Sequence, residues 1–146
     1  MSAQPLPAHP LNRLGLTLLI AALACWIGFH FLSIEGYMRG WELWKQIWEI
    51  LTRGTLPAWQ SMIAISAILM TAVLVTASPF VTFLLRTSRP CRWLAVIASG
   101  AALLGFGSLI LKDSPSGLAI PFLLAAMVLN FIGLICLRPH HQHQTE

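Results

Sequence analysis

Charge is what this chain has least of. Asp, Glu, Lys and Arg together make up 10% of its 146 residues, against about a quarter in soluble domains. Four stretches, residues 14–32, 62–85, 93–111 and 118–137, contain no Asp, Glu, Lys or Arg at all. Each is close to the roughly 20 residues that a bilayer's hydrocarbon core demands of a spanning helix. A soluble core helix would rarely achieve that four times over. The tails and connections between the stretches leave no room for a separate aqueous domain.

Cysteine is nearly as scarce. Cys25 falls within the first stretch, Cys91 in an Arg-rich connection and Cys136 at the end of the fourth. None lies where an oxidising compartment could pair it, which argues against disulfide exchange chemistry. No nucleophile–base pair, carboxylate dyad, zinc-ligand spacing or phosphate loop is present. Gly100–Gly107 follows no strand and sits deep in an apolar stretch, so its glycines serve packing. An enzyme with its whole active site in this chain is not expected, nor is a bound metal or other cofactor. An ion-coupled transporter would need an intramembrane carboxylate, and none exists.

What is present predicts an all-α integral membrane four-helix bundle. The formal net charge of +4 is informative by position. Arg13 precedes the first span, Arg86, Arg89 and Arg92 lie between the second and third, and Arg138 follows the fourth. The other two connections are balanced. The excess of basic residues near span ends predicts cytoplasmic termini, with residues 33–61 and 112–117 on the outer side. The basic residues thus read as topological markers facing the lipid bilayer, and a nucleic-acid partner has no support. Residues 1–13 are expected to form a disordered cytoplasmic tail, residues 14–137 one transmembrane domain and residues 138–146 a second cytoplasmic tail. Ala21–Cys25 resembles a signal-processing or lipidation site, but the apolar run continues to Leu32 as a full span.

Residues 41–53, WELWKQIWEILTR, form the only strongly periodic non-spanning segment. At about 100° per residue, Trp41, Leu43, Trp44, Ile47, Trp48, Ile50 and Leu51 share one half of the wheel. Glu42–Lys45 and Lys45–Glu49 are spaced for ion pairs, and Gly40, Gly54 and Pro57 bound the segment. The pattern predicts an amphipathic interfacial helix between spans 1 and 2. Trp41, Trp44 and Trp48 are either an interfacial anchor or a surface for docking a partner protein.

Small residues predict the packing seams: Thr17, Ala21, Ala24 and Gly28 in the first span, Ala98, Ala101, Gly105 and Ser108 in the third, Ala126, Asn130 and Gly133 in the fourth. Thr71, Ser78 and Thr82 share a face of the second, and Ser78-Pro79 predicts a kink. Asn130, the strongly polar side chain near a midplane, should point into the bundle or across an interface. His30, near the outer end of span 1, is the weak candidate for cofactor ligation, since a membrane haem usually takes two histidines and no span supplies a second. The tail His140-His141-Gln142-His143 reads as a solvated end.

These features point to a non-catalytic accessory or scaffold subunit of a membrane complex, in the bacterial inner membrane, with a membrane-protein partner or a second copy of itself. An immunity or exclusion-type protein against a membrane-inserting toxin is the alternative. A haem- or quinone-linked subunit and a transport subunit are the remaining classes.

Overall fold

The computed structural model describes residues 10–35, 38–53, 59–113 and 117–137. Helix α1 (Pro10–Phe31) leads through a two-stranded hairpin, β1 (Ser33–Glu35) and β2 (Met38–Arg39), into a 3-10 turn (Gly40–Glu42) and α2 (Leu43–Thr52). Then follow α3 (Trp59–Ala77), the short α4 (Thr82–Thr87), α5 (Arg89–Asp113) and α6 (Ala119–Cys136). Four of these, α1, α3, α5 and α6, are long and apolar enough to cross a membrane. At a rise of about 1.5 Å per residue, even the 18-residue α6 reaches about 27 Å. The protein is an all-α, multi-pass membrane bundle with an amphipathic helix between its first two spans.

Its perimeter carries large exposed apolar side chains on every span, among them Ile20, Val73, Leu104 and Ile135. Water would not tolerate such a surface, but lipid is as apolar as these side chains.

The ends of the elements follow from residues at their boundaries. Pro10 opens α1, where the missing N–H costs nothing, so the helix begins inside the segment expected to be a disordered tail. Pro90 and Pro121 likewise fall in the first turns of α5 and α6. At Pro79 the expected kink is a full break. Proline has no N–H to offer Val75, and the chain turns instead, with Phe80 and Val81 both donating to the Ala77 carbonyl at 3.0 Å. Span 2 is therefore α3 alone, and Thr82–Leu85 belong to the separate α4. The hairpin was not foreseen from the sequence. Residues 54–58, Arg138 and the His140–His143 tail lie outside the described residues.

Helix pair α1–α6 has the most extensive packing, followed by α3–α5 and then α5–α6. Two glycines bring α1 and α6 together: a Cβ on Gly15 would lie 3.0 Å from the Gly133 carbonyl oxygen, and one on Gly133 would lie 2.9 Å from Leu19 Cδ2. The buried line of α1 is Gly15, Leu19, Ala22, Trp26 and Phe29, nearly opposite the small-residue seam expected there. Thr17 and Ala24 of that seam are exposed. In α5 the buried line is Val96, Ser99, Ala102 and Phe106, one position on from the expected Ala98, Ala101 and Gly105. In α6 the expected Ala126, Asn130 and Gly133 are all buried.

Candidate functional site

At one end of the bundle α2 folds back over the end of α1. Two close approaches make this geometry. Gly40 donates to the Leu32 carbonyl at 3.0 Å, and any Cβ there would collide with the Phe29 carbonyl. Gly117, just before α6, is pressed against the Ile34 carbonyl in the same way. Only glycine lets the backbones come this near. The turn into α2 is then secured by the Arg39 amide, which donates to the Glu42 carboxylate at 2.7 Å.

Beneath α2 lies an aromatic cluster. Trp26 and Phe29 of α1 stack with centroids 5.5 Å apart, and Trp26 meets both His30 (4.8 Å) and Trp44 (6.2 Å) edge-on. The His30 and Trp44 rings lie nearly parallel, 6.1 Å apart. The Trp44 indole N–H donates to His30 Nε2 at 2.9 Å, and His30 Nδ1 lies 2.8 Å from the Trp26 carbonyl oxygen. These partners decide the tautomer. An indole N–H can only donate and a carbonyl can only accept, so Nε2 is the acceptor and Nδ1 carries the proton. Both ring nitrogens are thereby spent within the chain. Ligation of a haem or metal by His30 would require Trp44 to leave.

The apolar half of α2 is thus divided. Leu43, Trp44, Ile47 and Ile50 pack inward, with Ile47 buried at the centre. Trp48, and Trp41 in the 3-10 turn before α2, point away, 69% and 42% exposed, as does Leu51. Of the three tryptophans read as an anchor or docking surface, the structure leaves Trp41 and Trp48 exposed in part and uses Trp44 as a clasp. No sequence signal marked His30 as that clasp's partner, because the pairing depends on the hairpin that reverses the chain. On the polar half, the ion pair is Glu49–Arg53 at 2.9 Å. Lys45, expected to pair with Glu42 and Glu49, instead sits 4.8 Å from the centre of the Trp41 ring.

The remaining candidates lie within or at the edge of the bundle. Asn130, 1% exposed, donates through Nδ2 to Ser99 Oγ at 3.2 Å, while its Oδ1 has no partner among the described residues. Ser78 is buried at the break after α3, and the Thr82 hydroxyl donates back to the Pro79 carbonyl at 3.4 Å. Gly28 faces the Phe122 ring, and Gly105 faces Ile63. Gly105 also borders an open apolar groove of about 280 Å³ between α3 and α5, with Met62, Ser66, Met70 and Ala101. Among the described residues no three His, Cys, Asp or Glu side chains gather as a metal site.

No family model, curated protein or solved structure matches this chain. Its function must therefore be argued from its own geometry. Among the described residues, that geometry offers an exposed aromatic edge on and beside α2, packed from below through Trp44, Ile47 and His30.

Proposed function

We propose that this protein is a non-catalytic accessory or scaffold subunit of a membrane complex, and that it engages its partner through the exposed edge of α2. The observation that carries the reading is the division of that helix. Trp44 is committed to His30 and Trp26, while Trp48 of α2 and Trp41 of the turn before it remain exposed. Tryptophan is the residue most enriched at the energetic centres of protein contacts, and rigid presentation lowers the entropy lost on binding. The Arg-rich character of the opposite end supports cytoplasmic termini and an outward-facing α2, and the compact size and short loops favour a bacterial inner membrane.

The test is extraction of the native complex in mild detergent, followed by affinity capture and mass spectrometry. Capture of wild-type protein should bring down a membrane protein in fixed stoichiometry. The double variant Trp41→Ser, Trp48→Ser should insert normally and lose that partner. A partner retained in full by the double variant would refute docking through α2. Recovery of the chain alone would shift the weight to a self-contained role such as immunity to a membrane-inserting toxin.

A further inference from the structure

We infer that the end of the bundle opposite α2 holds the headgroup of an anionic phospholipid, with Arg86 and Arg89 as its principal contacts. The two ends differ sharply in charge. Between Glu49 and Asp113 the sequence contains no acidic residue. Arg13, Arg86, Arg89 and Arg92 therefore share one end with no carboxylate among the described residues to neutralise them. Their convergence follows from the packing: Gly15 abuts Gly133 and Leu137, which brings the start of α1 to the end of α6. Arg92 donates to the Leu137 carbonyl, which brings the start of α5 to the same place.

Arg86 supplies the pointer to a ligand. It sits in the last turn of α4, partly exposed as a residue, and its Nε is buried with no acceptor among the described residues. A guanidinium N–H withdrawn from water and left unpaired is costly, and phosphate oxygens match its planar fork. Arg86 also lies three residues after Phe83, on the same side of α4. Phe83 and Phe80 are 78% and 79% exposed. Together they offer a charged anchor flanked by an apolar platform, which suits a phosphate attached to acyl chains and gives a free phosphate nothing further to hold. Among the described residues no carboxylate lies at this end to pair with a choline or ethanolamine ammonium, so a net-anionic headgroup is favoured over a zwitterionic one. This site is separate from the α2 edge, and its failure would leave the docking proposal untouched.

The experiment is native mass spectrometry of the delipidated full-length protein given equal amounts of phosphatidylglycerol and phosphatidylcholine. Wild-type protein should retain phosphatidylglycerol preferentially. Arg86→Gln and Arg89→Gln should each reduce that preference about fivefold, the effect of one basic residue near an anionic surface. Arg86→Lys should retain an intermediate preference, and Lys45→Gln at the opposite end should change nothing. Equal retention of the two lipids by wild-type protein would overturn the proposal, and this arm needs no variant to fold. So would an equal loss in Lys45→Gln, or complete displacement of phosphatidylglycerol by millimolar inorganic phosphate, which would identify a free-anion site.

Discussion

Replacing Trp44 with Phe should loosen α2 without disturbing the spans. The substitution keeps an aromatic ring against Trp26 and His30 but removes the indole N–H. Two effects add. One hydrogen bond of 2.9 Å is lost, a net contribution of about 1 kcal/mol. His30 Nε2 is also left as a part-buried acceptor with no donor, and its partial exposure limits that cost to less than a fully buried group would incur. A total of about 1–2 kcal/mol corresponds to a 5- to 30-fold rise in the population of detached α2. Hydrogen–deuterium exchange in lipid nanodiscs reads this directly, since the amides of residues 43–52 exchange through local opening. Faster exchange should be confined to α2 and the hairpin. Combining Trp44→Phe with His30→Phe in a double-mutant cycle should give a coupling of about 1 kcal/mol, because an apolar pair leaves no orphaned nitrogen. Exchange in α2 that rises less than twofold, with no coupling in the cycle, would refute the clasp. A uniform acceleration across all helices would show that the pair supports the whole bundle instead.

Further outcomes concern the bundle interior. Gly133→Leu should force α1 and α6 apart at Leu19 and Gly15, at a cost of about 1–3 kcal/mol, seen as a lower unfolding midpoint in detergent. Gly107→Leu is its control, since a Cβ there has nothing within 4 Å, and it should leave the midpoint nearly unchanged. Asn130→Leu combined with Ser99→Ala should be neutral or stabilising in the same assay, because the pair removes the unpaired Oδ1 and both ends of a single 3.2 Å bond. A large loss of stability would mean that Asn130 has a further partner.

The sequence announced the spans clearly because a bilayer imposes a length and excludes charge, and both are visible in one dimension. It said much less about how each span is turned. In α1 the small residues Thr17, Ala21, Ala24 and Gly28 looked like the packing seam, yet the buried line runs through Gly15, Leu19, Trp26 and Phe29. A helix apolar on all sides has almost no amphipathic signal, since lipid accepts the same side chains as the core. Rotation is then decided by shape, such as the fit of Gly15 against Gly133, which only the folded pair reveals. Asn130 was legible for the opposite reason, because an amide in hydrocarbon has few places to go. α2 was legible as amphipathic because it meets water on one side. The division of its tryptophans was not, because it depends on Gly40 and on a histidine fourteen residues earlier.

The dominance of the α1–α6 pair also has a consequence in time. Span α1 finds its principal neighbour only when α6 has been made. Until then the face from Gly15 to Phe29 must wait in lipid while α3 and α5 assemble with each other. A chain shortened before α6 would insert three spans and leave the first without its main packing surface. For this bundle, the making of α6 and the covering of α1 belong to the same moment.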